Sequence, residues 1–252
     1  MNVRLHIEYD GTDFQGWQRQ LNRPTIQALI EDNLAEVQGR RTIVYGASRT
    51  DSGVHARGQV ANFYADDKVA PEQWRSILNF HLPRTIRIVE SVEVPYGFHS
   101  QRDAIDKCYE YRILNRAYAS ALDRRVLFYP KELDWNAIRE SLPYFVGTMD
   151  FKSFQGSGSD RKTTIRTVQS FELFEDEPGL YRFRISGTGF LKQMVRNIIG
   201  TLLEVGEHKR TVASLPATIA ARDRQQAGRT AAAHGLCLVK IRYPEFSAWR
   251  PS

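Results

Sequence analysis

Cysteine is scarce in this sequence: the 252 residues include only Cys108 and Cys237. The two lie far apart in strand-like segments, and neither belongs to a group of cysteines and histidines with the spacing of a zinc site. Proteins that depend on disulfide bonds usually carry several closely spaced cysteines. We therefore expect two reduced thiols in the protein core and a cytoplasmic location.

Long apolar runs are also missing. The longest one falls well short of the roughly 20 residues that span a bilayer. The first residues, MNVRLHIEYDG, begin a strand-like alternation and leave no room for a signal peptide. No GxxxxGK[ST] phosphate loop, GxGxxG fingerprint or HExxH motif is present. The sequence thus gives no sign of a membrane partner, a nucleotide cofactor or a catalytic metal.

Positive charge is in moderate excess, with 35 Lys and Arg against 29 Asp and Glu, a formal net charge of +6. Such an excess is typical of proteins that bind phosphate-rich partners, because neutralising phosphates releases counterions. Many basic enzymes never bind nucleic acid, so charge alone is weak evidence for an RNA partner.

Apolar periodicity and turn residues predict two successive sets of strands and helices. The predicted strands are 3–9, 42–45, 60–64, 84–94, 107–115, 168–174, 180–186 and 236–243. Five helices are predicted: one that follows an N-cap at Thr25, one that starts at Pro71, and three that cover 134–146, 190–205 and 211–222. Pro143 is expected to kink or shorten the helix at 134–146. The pattern predicts an α+β protein with two halves, 1–103 and 104–252, each a sheet with helices on one face.

The stretch Gly46–Gln59, GASRTDSGVHARGQ, has neither helical nor strand period and predicts a loop. It holds the densest set of reactive side chains in the chain, with Asp51 among Arg49, His55 and Arg57. Nearby cations favour the ionised carboxylate, a form suited to nucleophilic attack. The same residues are equally typical of a surface turn in which the Asp acts as a cap and the arginines are solvated.

Four segments, in order, resemble the tRNA pseudouridine synthase A family. The loop matches the family signature G-R-T-D-x-G-V-H-A, with Ser48 in place of the usual Gly. The other segments are YDGTDFQGWQRQ (9–20), KCYEYRI (107–113) and GFLKQMVRNIIG (189–200). The resemblance runs from about residue 9 to residue 243, nearly the whole chain.

This resemblance implies a fold, a reaction and partners. It implies two α+β halves, each a largely antiparallel sheet, with an active-site cleft between them. The implied reaction isomerises uridine to pseudouridine at positions 38, 39 and 40 of the tRNA anticodon stem-loop, without a cofactor. The implied assembly is a homodimer that docks one tRNA across both subunits.

Three residues would carry the chemistry on this resemblance. Asp51 matches the nucleophile, which either attacks C6 of uracil or acts through the ribose. Tyr109 matches a tyrosine that stacks on the flipped base and assists deprotonation of C5. Arg196 matches an arginine that pairs with the nucleophile and keeps it ionised. From the residues alone, Tyr109 could equally be a core tyrosine on its strand, and Arg196 could extend from its helix into solvent.

Four polar residues are candidates for contacts with the RNA substrate. Arg49 matches the signature arginine, which is expected to help displace or replace the flipped base. His55 would either bind RNA or form hydrogen bonds that structure the loop. Gln18 and Gln59 are further candidates for polar contacts.

Two other segments bear on RNA binding. Residues 98–104 follow the family pattern F-H-A-R-x-S-A only in part, because Ser100, Gln101 and Asp103 depart from it. If the arginine of that pattern contacts RNA in the family, its role is left without a residue here unless Arg102 substitutes from the opposite strand face. The segment 155–164, QGSGSDRKTT, predicts a mobile loop that either closes over RNA or simply connects two elements.

Two other functions fit some of these features. A non-catalytic RNA-binding protein could use the same scaffold and its basic loops. A hydrolase could use Asp51 as its nucleophile. However, a retaining glycosidase needs a second carboxylate about 5 Å away, and phosphotransfer usually needs metal-binding acids. The central loop supplies neither of these groups.

Overall fold

The computed structural model describes residues 1–158 and 163–245. The chain divides into two compact units, one formed by Met1–Lys107 with the described residues from Cys237 onward, the other by Cys108–Leu236. Both contain strands and helices, so the predicted mixture of sheet and helix is confirmed. The last strand belongs to the first unit, whereas the boundary predicted after residue 103 groups it with the second.

The strands and helices of the described residues are numbered here in chain order. The strands are β1 (Asn2–Tyr9), β2 (Tyr45–Gly46), β3 (His55–Tyr64), β4 (Ile86–Val94), β5 (Asp106–Leu114), β6 (Leu127–Phe128), β7 (Gly147–Asp150), β8 (Ile165–Glu177), β9 (Leu180–Gly187) and β10 (Leu236–Arg242). The helices are α1 (Ile26–Gln38), α2 (Gln73–His81), α3 (Trp135–Ser141), α4 (Met194–Gly206) and α5 (Leu215–Ala220). Of the described residues, no helix is long and apolar enough to cross a membrane.

The first unit is built on the strand order β4–β1–β3–β10, with β2 paired to β3. The predicted alternation of β1 is confirmed, because Val3, Leu5 and Ile7 are all 0% exposed. Burying a side chain of this size stabilises a fold by about 1.5–3 kcal/mol. Strand β1 is antiparallel to both neighbours, whereas β10 runs parallel to β3. The first strand is therefore an interior strand, paired along both edges.

The helix predicted after Thr25 is also present. The Thr25 hydroxyl accepts a hydrogen bond from the backbone N–H of Ala28, and Gly39 ends the helix with a left-handed backbone conformation. Its N-terminal half is braced by Arg19, whose guanidinium contacts Glu31 and Asp32, each at 2.5 Å. The residues just before the helix are thereby tied to it.

The prediction of a loop across Gly46–Gln59 is wrong in its second half, because β3 begins at His55. The sequence HARGQ has little apolar alternation of its own. It becomes a strand because it has partners on both sides, with Ala56 opposite Tyr9 of β1 and opposite Leu238 of β10. The strand predicted at 42–45 shrinks to the two residues of β2.

The second unit is built on the order β5–β9–β8–β7, with β6 paired to β5. Helix α3 ends early at Ser141 and continues as a 3-10 turn over Leu142–Phe145, as Pro143 predicted. Helix α4 begins at Met194 rather than at residue 190, because Gln193 has a left-handed backbone (φ 58°) that interrupts the helical run. The predicted helix 211–222 is split into a 3-10 turn, Val212–Ser214, and α5.

Two further predictions concern a loop and the cysteines. Residues 159–162 of the Gly/Ser-rich segment lie outside the described residues, so its mobility and its closure over RNA remain predictions. The part before them is tied down, since Gly156 N donates to Lys192 O and Lys192 Nζ donates to Ser157 O, each at 2.8 Å. Cys108 and Cys237 are each half-buried, whereas the sequence predicts both in the core.

One charged group in the second unit makes stability depend on pH. The Glu207 side chain is 8% exposed, and its carboxylate lies 2.6 Å from Lys209 Nζ and 3.2 Å from Lys131 Nζ. The pKa of Glu207 is lowered to about 2, mainly by the hydrogen bond from the Lys209 ammonium. Burial opposes this shift, and hydrogen bonds from Tyr129 and Lys131 add to it. Ionised Glu207 therefore stabilises the folded state.

We expect Glu207→Gln to lower the free energy of unfolding by about 1–3 kcal/mol at pH 7. Because the folded-state pKa lies below the usual 4.5, this stabilisation is present above about pH 4.5 and is lost as the pH falls toward 2. Urea unfolding at several pH values measures it, with the exposed Glu132→Gln as control. A difference between Glu207→Gln and the parent protein that stays constant from pH 7 to pH 3.5 would contradict this assignment.

Candidate active site

The residue before Asp51 is fixed by two hydrogen bonds. A bond of 2.8 Å joins the Thr50 hydroxyl to the Tyr9 hydroxyl, and the Trp17 backbone N–H donates to Thr50 O at 3.1 Å. Both Tyr9, at the end of β1, and Trp17 are buried. Asp51 itself is half-buried. The candidate nucleophile therefore follows directly on an anchored residue and is accessible in part.

The chain then turns sharply between Asp51 and Val54. Val54 N donates to Asp51 O at 3.1 Å, which closes a four-residue turn. Gly53, at the third position, has φ +77°, a conformation that glycine adopts without strain. Phe14 O accepts from Gly53 N at 3.3 Å and from the Ser52 hydroxyl at 3.2 Å. The turn that presents Asp51 is thus bonded to the segment after β1.

The YDGTDFQGW segment approaches this turn through its glycines. A Cβ on Gly11 would lie 2.0 Å from Val54 O, and a Cβ on Gly16 would lie 2.6 Å from Thr50 O. Both distances are far below van der Waals contact, so only glycine fits at either position. Phe14 and Trp17 are 6% and 1% exposed. These two aromatic side chains pack inside the protein.

His55 is 3% exposed and contacts the same segment. Its Nδ1 accepts from Gly11 N at 3.0 Å and lies 3.1 Å from Asp10 Oδ1. The backbone donor makes Nδ1 an acceptor, so Nε2 carries the proton in the neutral ring. These contacts support the loop-structuring alternative for His55; a contact with RNA remains a prediction.

Gln59 is 0% exposed and supports the loop from the β3 side. Its Oε1 accepts from Ser48 N at 3.2 Å, and its Nε2 donates to Ser48 O at 2.7 Å, so its amide pairs with the backbone of Ser48 on both edges. This geometry gives Gln59 a structural role in place of the predicted RNA contact. Gln18 is exposed and donates to Gln27 Oε1 at 2.9 Å, and Arg49 is exposed on the loop.

The departures from the family pattern at residues 98–104 have structural partners. Ser100 is 0% exposed; its N–H donates to Asn62 Oδ1 at 2.9 Å and its hydroxyl donates to Tyr45 O. Asp103 caps the local turn by accepting from His99 N at 2.5 Å. Gln101 and Arg102 are exposed. Ser100 and Asp103 therefore stabilise the segment, and Arg102 is the cation that it presents to solvent.

The two tyrosines of β5 have different surroundings. Tyr109 is 6% exposed, and Phe190 packs edge-on against it with ring centroids 5.3 Å apart and an interplanar angle of 83°. Tyr111 is 1% exposed and donates to Ala232 O at 2.8 Å. Burial raises the pKa of Tyr111, only partly offset by Arg196 and Arg229. Tyr111 therefore stays a neutral structural donor, and Tyr109 remains the candidate for base stacking.

Arg196 lies in the first turn of α4 and is half-buried. Its Nε donates to Ala231 O at 2.7 Å, and Ala231 N donates back to Arg196 O at 3.1 Å. Because Nε is committed to a carbonyl, an ionic partner of this arginine must bind at the two Nη groups. The alternative of an arginine extending loosely into solvent does not fit these contacts.

Sequence reasoning missed Asn197, the neighbour of Arg196. It is 0% exposed and binds Phe154 O, Arg224 and Thr230 through its side-chain amide. The signal was present in the sequence, since an Asn interrupts an otherwise apolar helix face there. No group of three or more His, Cys, Asp or Glu suited to a metal ion occurs among residues 1–158 and 163–245.

Comparison with known proteins assigns the family. Residues 6–101 and 142–244 match the family described as tRNA pseudouridine synthase. The tRNA pseudouridine synthase A of Clostridium acetobutylicum is 44% identical and covers 96% of this chain and 99% of the relative. That of Acetivibrio thermocellus is 45% identical with the same coverage. The tRNA pseudouridine synthase A of Geobacter sp. is 43% identical, and the match covers 97% of this chain and 99% of the relative.

Likeness to solved structures is much weaker. A crystal structure of the archaeal box H/ACA sRNP Nop10-Cbf5 complex aligns with a TM-score of 0.34 and 13% identity, over 80% of this chain and 54% of that one. This value is too low to add to the assignment, which depends on the sequence relatives. The chain belongs to the tRNA pseudouridine synthase family, isomerases that convert uridine to pseudouridine.

Proposed function

We propose that this protein isomerises uridine to pseudouridine at positions 38, 39 and 40 of the tRNA anticodon stem-loop, with Asp51 as nucleophile. The observation that carries the proposal is the construction of the Asp51 turn. Thr50 is held by hydrogen bonds to Tyr9 and Trp17. Because Gly11 and Gly16 have no side chain, their backbone packs directly against the backbone of the turn. A reacting group needs this kind of fixed support to meet its substrate within a fraction of an ångström.

The reaction requires a nucleophile but no oxidant, reductant or cofactor. The N1–C1′ bond of the uridine breaks, the uracil turns, C5 bonds to C1′, C5 loses its proton and N1 gains one. A stacked nucleotide is out of reach of a carboxylate, so the target must first be flipped out of the stem-loop at a cost of a few kcal/mol. Asp51 acts in its ionised form whether it attacks C6 or promotes cleavage through the ribose.

Arg196 and Tyr109 complete the proposed catalytic set. The guanidinium of Arg196 keeps Asp51 ionised and orients it, because an opposite charge favours the charged form of a carboxyl group. Its Nε is committed to Ala231 O, which leaves the two Nη groups for such a partner. The Tyr109 ring, set by Phe190, stacks on the flipped uracil, and its hydroxyl assists removal of the C5 proton.

The partner in this proposal is tRNA, the substrate that the relatives' names carry. The proposal includes a cytoplasmic homodimer that docks one tRNA across both subunits. The exposed Arg49 replaces the flipped base in the stem, and Gln18 contacts the RNA nearby. His55 and Gln59 act through the loop that they hold. The net charge of +6 favours binding to phosphates.

Asp51→Asn tests the nucleophile. The amide keeps the shape of the turn but cannot attack, so we expect release of tritium from C5-labelled uridine in tRNA to fall by about a thousandfold or more. Affinity for tRNA should stay within about threefold of the parent value, a change of less than 1 kcal/mol. The exposed Asp13→Asn is the control, and no metal is added. Unreduced tritium release would refute the role of Asp51, and release lost together with tRNA binding would indicate a docking residue instead.

Arg196→Ala tests the cation. The loss of its charge should lower kcat by about a hundredfold or more, with a much smaller effect on the Kd for tRNA. Arg139→Ala is a matched control, because Arg139 likewise donates to a backbone carbonyl, Leu173 O at 2.9 Å, from a helix of the same unit. Equal losses of activity and of tRNA affinity in Arg196→Ala would contradict pairing with the nucleophile.

Tyr109→Phe separates stacking from proton transfer. The ring remains, so tRNA binding and base flipping should be retained, while turnover should fall by about tenfold or more because the hydroxyl is lost. Single-turnover rates with saturating enzyme measure this, with the part-exposed Tyr144→Phe as control. Turnover equal to that of the parent protein would restrict Tyr109 to stacking.

A further inference from the structure

A segment of chain lies along α4 in continuous hydrogen-bond contact with it. Gly228 N donates to the Thr201 hydroxyl at 2.9 Å, and Arg229 N donates to Glu204 Oε1 at 3.2 Å. At the other end of the segment, Ala231 N donates to Arg196 O at 3.1 Å. Residues 228–231, here called the α4 strap, are thus bonded to the helix at each end.

Two glycines let the α4 strap approach the helix closely. A Cβ on Gly200 would lie 1.6 Å from Arg229 O, and a Cβ on Gly228 would lie 2.7 Å from the Cα of Thr201. In both cases the atom that an added Cβ would strike belongs to the backbone. Backbone cannot move aside as a flexible side chain can. The strap therefore lies directly against α4, with no side chain between them at Gly200 or Gly228.

Asn197 fixes the middle of the strap. Its Oδ1 accepts from the Thr230 hydroxyl at 2.6 Å and from Arg224 Nη2 at 3.0 Å, and Arg224 Nη2 also donates to the Thr230 hydroxyl at 3.1 Å. Its Nδ2 donates to Phe154 O at 2.8 Å. A side chain that is 0% exposed must have its polar atoms bonded, and here both are. The three side chains form a closed polar cluster.

This cluster lies one residue from the contact that orients Arg196. Thr230 precedes Ala231, whose carbonyl receives the Nε–H of Arg196 at 2.7 Å. An arginine has several rotatable bonds, and holding all of them in one state costs about 2 kcal/mol of rotamer entropy. A carbonyl that is itself fixed can hold Nε in place and so set the direction of the Nη groups.

We propose that Asn197, Arg224 and Thr230 are positioning residues for the isomerisation, which hold Ala231 so that its carbonyl fixes the guanidinium of Arg196. This inference rests on the catalytic role proposed for Arg196. None of the three side chains needs to touch the substrate. They determine how often Arg196 is in the orientation that serves the reaction.

Thr230→Val tests the cluster, since valine has nearly the shape of threonine but no hydroxyl. Loss of this hydroxyl should lower kcat by about fivefold to tenfold, the scale of one hydrogen bond, with KM for tRNA unchanged within about twofold. Thr230→Ser, which restores the hydroxyl, should recover most of the activity. Thr218→Val is the control, because Thr218 accepts from Arg210 Nη1 at 2.8 Å elsewhere in the same unit.

Stability must be measured beside activity to separate positioning from folding. Thr230→Val and Thr218→Val should both lower the midpoint of urea unfolding, and only Thr230→Val should lower kcat. A Thr230→Val protein that is destabilised but turns over at the parent rate overturns the inference. So does a Thr230→Val protein that loses kcat and is not rescued by Thr230→Ser.

A second background shows whether the cluster acts through Arg196. Lysine at position 196 keeps the charge but has no Nε–H for Ala231, so adding Thr230→Val to Arg196→Lys should leave kcat unchanged. A further loss equal to that in the parent protein overturns the inference and leaves the proposed function intact. If instead Arg196→Ala retains full activity, the role of Arg196 itself has failed, and the inference fails with it.

Discussion

Close backbone contact between the segment after β1 and the Asp51 turn is the constraint on which the first unit depends. No side chain separates Gly11 from Val54 or Gly16 from Thr50, so the two stretches are held by backbone hydrogen bonds at fixed distance. Backbone has fewer soft torsions than a long side chain, and an Asp adds only two more. If Asp51 is the nucleophile proposed above, this support restricts its movement relative to the substrate.

In the second unit the charged group is at the end of a long side chain. Arg196 has a long, flexible side chain, and its orientation is set by a bond to Ala231 O rather than by a short tether. That carbonyl is in turn held by a polar cluster around the buried Asn197. Fully bonded buried polar groups favour one arrangement over others, because any displacement leaves a donor or acceptor unpaired in the interior. Each unit thus makes one charged group rigid by means suited to its length.

Sequence patterns predicted most elements that bury one face. Strand β1 follows from the alternation of Val3, Leu5 and Ile7, and the start of α1 follows from the capping chemistry of Thr25. Patterns failed where a neighbour decides the structure. His55–Gln59 became strand because β1 and β10 pair with it on either side, and α4 was shortened by the left-handed backbone of Gln193, which no local signal announces.

The candidate site divides in the same manner. Asp51 is predicted from its own loop alone, because Arg49, His55 and Arg57 lie close to it in the sequence. Gln59 was assigned to RNA although its amide is used by Ser48, since a buried position cannot be read from a short polar stretch. The cluster of Asn197 and Thr230 joins residues 33 positions apart. Helix and strand periodicity relates only residues close in sequence, so it could not predict this contact.

The parallel pairing of β10 with β3 has a consequence for biosynthesis. Cys237 lies opposite His55, so the strand that follows the Asp51 turn gains β10 as a neighbour only from residues 182 positions later in the chain. Strand pairs so distant along the chain form slowly, because the entropy of closing a long loop is lost before the contacts between the strands stabilise the structure. While translation continues, one edge of β3 has no β10 beside it, and a nascent chain is exposed there to pairing with other strands.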